Sequence, residues 1–331
     1  MKTFQILIIS MILIISDYHL AQSFYNANPL VATYSIVARD PVTDEMGVAV
    51  QSHWFSVGSI VSWGEAGIGV VATQSFVNPA FGPDGLELLK SGMTAEQVVD
   101  KLISEDEGRD VRQLAIIDVN GNVKSYTGKN CIPGAGNVVG ENYSVQANLM
   151  LNDKVPAAMS KAFEEAKGPL AERMMAALFA AESVGGDIRG KQSAAILIVK
   201  GEASGKIWED RLVDLRVEDD PYPLDKLDRL LKIHRAYGHM NAGDLAVEHG
   251  DMKLAMEEYS AAEKMFPENE EMKYWHAVTL ASNGDVESSL KLFETVFKKN
   301  NNWKILTPRL VPVGLLKVSQ EDLKKILSVG E

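Results

Sequence analysis

Thr33-Tyr34-Ser35-Ile36-Val37-Ala38-Arg39-Asp40 alternates in period two, and Gly47-Val48-Ala49-Val50-Gln51-Ser52 follows it shortly after. Thr33, Ser35 and Val37 point to one face of a strand, and Tyr34, Ile36 and Ala38 to the other. The two runs read as a β-hairpin with its turn at 41–45 and its second strand ending near Ser52. The hairpin opens a folded domain with a threonine. A threonine in that position can be a nucleophile whose base is its own α-amine. That chemistry requires a free amine on Thr33, so the chain must be cut before it.

The residues ahead of Thr33 read as a targeting segment. Lys2 gives a positive start, and 4–15 is almost wholly apolar. That run is short of the roughly 20 residues a membrane span needs. Ala21 or Ser23 then offers a small-residue cleavage site. Residues 1–23 are therefore expected to be a signal peptide and 24–32 a short leader. The mature protein is expected to be exported, to the periplasm or the extracellular space. Signal peptidase suits the Ala32–Thr33 bond poorly, because that bond lies far past the apolar run and Leu30 stands where a small residue is wanted. Self-cleavage or a second protease is needed.

Composition narrows the chemistry. The 331 residues are 46% hydrophobic with a formal net charge of −12. That is enough chain for one large core and a smaller one. The acidic balance argues against nucleic acid and against an anionic membrane surface. The one cysteine, Cys131, excludes an internal disulfide and reads as a buried structural thiol. Of six histidines, His19 lies in the targeting segment, and His234, His239, His249 and His276 lie in the last third. Only His53 remains in the domain that opens at Thr33. No HExxH, GxSxG, phosphate-binding loop or GxGxxG is present, so neither metal nor cofactor is expected. His53 has no recognisable partner serine and, beside Trp54-Phe55, reads as a loop-packing residue. A hydrolase built on this domain needs another base, and an α-amine is one.

Further along, 56–63 and 66–73 read as a second pair of strands, and 78–83 as a loop. Asp84 is expected to cap a helix to Lys90, and Thr94 with Gln97 a capping box for a helix to about 104. Strands at 113–119 and 122–127 flank an Asn120-Gly121 turn. Asp153 is expected to cap a helix to 166. A helix from Pro169 to 183 stops at Gly185-Gly186. Strands at 193–199 and 211–217 close the series, the first of them apolar enough to be buried on both faces. Runs of strands separated by helix pairs fit a sheet sandwich with helices outside.

Past Pro223 the chain reads as helical, which places a junction at 221–224. Gly250-Asp251 recurs as Gly284-Asp285, Met256 as Leu290, Tyr259 as Phe293 and Ala262 as Val296. The 34-residue offset is the period of tetratricopeptide units. Two such units need a cap, from 224–237 or 305–331; the plainer reading is a helical bundle.

The first domain resembles the DUF1028 family, uncharacterised proteins with an N-terminal-nucleophile (Ntn) hydrolase-like fold. The resemblance is carried by TYSIVARDPVTDEMGVAVQSHWFSVG (33–58), AGIGVVATQSFVNPAFGPDGLELL (66–89), Cys131 with its Gly-rich loop, YSVQANLM (143–150), GGDIRGKQSAAILIV (185–199) and DRLVDLRV (210–217). It implies an α+β, four-layer αββα sandwich over 33–222, with Thr33 at the nucleophile position. An all-α, tetratricopeptide-like domain over 223–331 stands where members often carry a C-terminal extension. The family, with the edge-rich sandwich, makes a homodimer the expected assembly.

Polar residues at the strand ends supply the candidate site, with Gln146 and Asn148 from a stretch that otherwise reads as core. Thr33, Asp40, Ser52, Asn78 and Asn148 are the catalytic candidates, the two asparagines as oxyanion donors. Arg39, Gln51, His53, Gln74, Arg112 and Gln146 are the substrate-binding candidates. Each has a blander reading: Thr33 as an ordinary strand residue, Arg39 and Asp40 as a turn ion pair, the asparagines as turn caps. Two functions follow. One is an exported amidohydrolase acting on a small amide or peptide-like bond. The other is a non-catalytic envelope scaffold that holds a protein or cell-wall partner through its helical repeats.

Overall fold

The computed structural model describes residues 30–330; the expected signal peptide and most of the leader lie outside them. The chain divides into two compact units, one ending at Leu227 and the other beginning at Asp228. None of the described helices is long and apolar enough to cross a membrane.

The alternation that opens the first unit builds β2 (Thr33–Arg39) and β3 (Met46–Ser52), paired antiparallel with Thr33 opposite Ser52. They lie mid-sheet, with β9 (Tyr143–Ala147) and β8 (Gly136–Gly140) beyond β2, and β10 (Ser193–Val199) and β11 (Arg211–Val217) beyond β3. The second sheet centres on β5 (Gly69–Phe76), which pairs with β6 (Arg112–Asp118) along one edge, and β6 pairs with β7 (Val123–Thr127). Along its other edge β5 takes two short strands in turn. β4 (Ser62–Glu65) covers 69–72, and β1 (Leu30–Val31) covers Ser75 and Phe76. All of these pairings are antiparallel. The chain thus leaves β1 in one sheet and enters β2 in the other, with only Ala32 between them.

Strand parity decides what each face meets. Val37, Val48 and Val50 share one buried cluster with Val70, Ala72, Ala115 and Ile117 of the other sheet. The opposite face of the β5–β6 pair, with Val71, Leu114 and Ile116, packs on the helices Phe81–Lys90 and Ala95–Glu105. The helix Leu170–Ser183 lies on β2 and β3. β10 is buried at every residue, as its unbroken apolar run requires.

Four local expectations are corrected. Residues 56–61 are not a strand: Ser56 has φ 55°, the Ser59 hydroxyl donates to its carbonyl at 2.7 Å, and Gly58–Val61 forms a helical turn. Asp84 is not a cap but sits in the first turn of a helix that starts at Phe81. Asp153 caps nothing; the neighbouring Asn152 accepts the Lys154 N–H at 2.9 Å ahead of the helix Val155–Glu165. The Gly-rich stretch after Cys131 contains β8, because its backbone is recruited by β9.

In the second unit the 34-residue offset is structural. The helices Met252–Met265 and Val286–Lys299 begin and end 34 residues apart. Asp251 and Asp285 cap them alike, accepting the N–H three residues on at 3.0 and 3.2 Å. Gly250 and Gly284 both take positive φ, 77° and 88°, as the turn before each cap demands. Tyr259, Phe293, Ala262 and Val296 are all buried.

Candidate active site

The cluster between the sheets is apolar over most of its length, but at the Thr33 end the same parity brings in polar side chains. Thr33 and Ser35 continue the Val37 face, Ser52 the Val50 face, Gln74 the Ala72 face and Gln113 the Ala115 face. All are buried, with Gln146 and Asn148. Burial of so many amides is tolerable only if each is hydrogen-bonded. Gln74 Nε2 donates to Gln113 Oε1 at 2.7 Å and to the Thr33 carbonyl at 3.2 Å. Asn148 Nδ2 donates to Gln113 Oε1 at 2.8 Å, and the Asn148 backbone N–H reaches the Thr33 carbonyl at 3.0 Å. Ser35 donates to Gln74 Oε1 and receives Gln146 Nε2, both at 2.6 Å. Asn148 Oδ1 alone in this set is buried without a partner. Two non-glycine residues with left-handed backbone flank the network: Ser75 (φ 72°) beside Gln74, and Leu149 (φ 59°) beside Asn148. Such strain collects at functional sites.

Gln113 joins both sides of the network, donating in turn to the Ala147 carbonyl at 2.9 Å. Gln113→Ala should strand several buried groups and cost about 3 kcal/mol. The urea midpoint should fall with an unchanged slope.

Thr33 itself is wholly buried. Its hydroxyl donates to the Val31 carbonyl at 2.9 Å, and β1 and Ala32 occupy the space in front of it. The carbonyl of Ala32, one atom from the Thr33 nitrogen, accepts two side-chain hydrogen bonds. Ser52 Oγ donates at 2.5 Å and Arg189 Nη2 at 2.7 Å. Asp187, whose side chain is fully buried, grips Arg189 with both oxygens, at 3.0 Å to Nε and 2.7 Å to Nη2. It also accepts the His53 backbone N–H at 3.1 Å. A bidentate carboxylate of this kind fixes the plane of a guanidinium. The loop carrying the pair is turned by Gly185, Gly186 and Gly190, with φ of 120°, 53° and 107°.

Of the eleven sequence candidates, Thr33, Ser52, Gln74, Gln146 and Asn148 are brought together. The other six are not in this cluster. Arg39 and Asp40 lie at the far end of β2, about 20 Å away at the usual rise per residue. Asp40 accepts the N–H groups of Val42 and Thr43 at 2.8 and 3.2 Å and pairs with Arg173; Arg39 pairs with Asp44. Asn78 accepts the Ala80 N–H at 3.2 Å, the turn role open to any asparagine. Arg112 is ion-paired to Asp106 at 2.6 Å. Gln51 points to the opposite face, into a group with Tyr34 and Glu182. Burial, then the Glu182 charge, raises the Tyr34 hydroxyl well above its ordinary pKa. His53 approaches through its backbone, and its ring Nδ1 is buried without a partner. Burial raises the Cys131 thiol, the opposite of activation. Among the described residues no group of three or more His, Cys, Asp or Glu could hold a metal.

Asp187, Arg189 and Gln113 were not among the candidates. The signal for the first two was present: an acid–base pair two apart, bounded by glycines and leading into a doubly buried strand.

The profile of DUF1028, a family of unknown function, matches residues 33–227. The chain belongs to the DUF1028 family. A crystal structure of a DUF1028 protein from Silicibacter pomeroyi, SPO2555, is similar, with 31% identity and a TM-score of 0.56 over 61% of this chain and 85% of that one. The chain also aligns with Anbu (ancestral beta-subunit) from Yersinia bercovieri over 65% of its length and 97% of that chain. There the identity is 15% and the TM-score 0.28, a loose likeness. None of the curated proteins compared with it matches. The DUF1028 match begins at Thr33, so β1 and Ala32 stand outside it.

Proposed function

We propose that this DUF1028 chain is an amidohydrolase of the Ntn type, with an αββα sandwich over 33–222 and Thr33 as its nucleophile. The nucleophile is released when the chain cuts its own Ala32–Thr33 bond. The observation that carries this reading is the Ala32 carbonyl, held by Ser52 and the Arg189 cation with the Thr33 hydroxyl next along the chain. Two donors on a carbonyl that has no need of a cation are what an oxyanion requires.

The maturation step balances with one water. Thr33 Oγ adds to the Ala32 carbonyl carbon, and the negative oxygen rests on Ser52 and Arg189. The C–N bond breaks, the Thr33 nitrogen takes up the hydroxyl proton, and Ala32 is left as an ester on Thr33 Oγ. Water hydrolyses the ester to a free Ala32 carboxylate and a Thr33 with both hydroxyl and α-amine. In turnover the α-amine takes the hydroxyl proton and passes it to the leaving amine, and water again releases the acid.

Export to the periplasm or beyond, a homodimeric assembly and a tetratricopeptide-like domain over 223–331 that holds a protein or cell-wall partner complete the proposal. The 34-residue spacing of caps and buried residues supports the repeat reading. A non-catalytic envelope scaffold is the second reading. It is favoured by the complete burial of Thr33 in the uncut chain, where no substrate can reach it.

The pH profile separates them. An α-amine has an unperturbed pKa of about 8 and works as a base only when neutral. For the cut protein, kcat/KM on a peptide amide should fall as pH drops through that ionisation. Hydrolysis by protein that still carries residues 24–32 would overturn the mechanism.

A further inference from the structure

We propose that the slot now filled by Leu30-Val31-Ala32 is the acyl side of the substrate site, and that the substrate is an extended peptide with Ala at the cleaved carbonyl and an apolar β-branched residue before it. The proposal rests on Thr33 being the nucleophile, and it adds what the nucleophile acts on.

Three observations define the slot. First, β5 is longer than the partner on its outer edge. β4 ends its pairing at Ala72, and beyond that the edge is covered by β1, with Val31 opposite Ser75 and Leu30 opposite Phe76. Once the 24–32 piece leaves, that stretch of sheet edge is unpaired. An open edge beside a nucleophile accepts an extended segment by backbone pairing, with side-chain pockets alternating along it.

Second, the pockets have a shape. Val31 belongs to the buried cluster between the sheets, and Ala32 has no exposed surface. Removing them opens an apolar space of β-branched size and, next to the reacting carbon, a space of methyl size. A lysine or an acid in the first, or an aromatic ring in the second, meets the same walls without room or without a partner charge.

Third, the carbonyl that these residues present is already seated. Ser52 and Arg189 hold the Ala32 oxygen, and the same two donors would hold the acyl oxygen of a substrate lying in the same register. The leader is thus a substrate attached to its own enzyme, and the maturation cut is the first turnover. The bonds at the acyl carbon are those of the maturation step, but the proton from Thr33 Oγ now passes through the free α-amine to the substrate's own leaving amine; an ester forms on Thr33 Oγ, and water releases the acid.

The test uses the full chain after export, its amino terminus established by intact mass, with three p-nitroanilides: Leu-Val-Ala, Leu-Val-Phe and Leu-Lys-Ala. Leu-Val-Ala should be hydrolysed with a kcat/KM at least about tenfold above either of the others, the scale that misfit in a shaped pocket gives. Protein that starts at Thr33 but shows no preference for Leu-Val-Ala, or hydrolyses none of the three, overturns the assignment of the slot and leaves Thr33 as nucleophile standing. Protein that keeps residues 24–32 overturns both.

Discussion

Thr33→Ala is expected to leave the Ala32–Thr33 bond intact and to abolish amide hydrolysis, a loss of about a thousandfold or more. The alanine removes the atom that attacks in both steps. The fold should survive, because the side-chain bond lost is one hydroxyl to the Val31 carbonyl, and the Thr33 backbone carbonyl keeps its three amide donors. Thr33→Ser keeps the hydroxyl and should keep both reactions at reduced rate. A Thr33→Ala protein that is still cut at this bond would assign the cut to another protease; one that still hydrolyses amides would remove Thr33 from the chemistry altogether.

Arg189→Ala is expected to slow the cut by about a hundredfold to a thousandfold, the usual effect of losing one oxyanion donor. It also leaves the buried Asp187 carboxylate facing only backbone N–H groups, from His53 and residue 189 itself. Uncompensated burial of a carboxylate costs about 3 kcal/mol. Arg189 is 27% exposed, so solvent would soften that figure here. Arg189→Lys separates the two effects. It restores a cation for Asp187 but not the planar fork, so stability should recover further than the rate. Ser52→Ala removes the other donor and should slow the cut without disturbing Asp187. If Arg189→Ala remains folded and is cut at the native rate, the carbonyl contact has no part in the reaction.

The elements around the site were legible wherever strand parity or a helix cap dictated them. Thr33-to-Val37 alternation, the unbroken apolar run of β10 and the Thr94–Gln97 box each have one physical outcome, and the chain adopts it. The misses include two caps, because Asp84 and Asp153 stand near helix starts without accepting a first-turn N–H. β8 has no apolar alternation of its own and exists because β9, which follows it after Glu141-Asn142, offers it a ladder. Ser56 takes a left-handed conformation that glycine would have advertised and serine does not.

The site divides the same way. Thr33, Ser52 and Gln74 stand out as polar residues at readable strand ends, and Gln146 and Asn148 as polar residues in a stretch that otherwise reads as core. Asp40 and Asn78 also follow strands but are held by their own turns. Arg189 reaches Ala32 across 157 residues of chain, and Gln113 stands at the start of β6, a polar strand end not among the candidates. The glycine-bounded pair of Asp187 and Arg189 was a local signal, but nothing local says which carbonyl or amide either side chain meets. Their roles exist only once the two sheets are brought face to face.

The central claim is that this chain cuts itself at Ala32–Thr33, and intact-mass measurement of the exported protein, with sequencing of its amino terminus, tests it most directly. The mature chain is expected to begin with Thr33, and a Thr33→Ala chain to begin where the signal peptide ends. A native chain that still carries the residues after Ala21 or Ser23 up to Ala32 would contradict it.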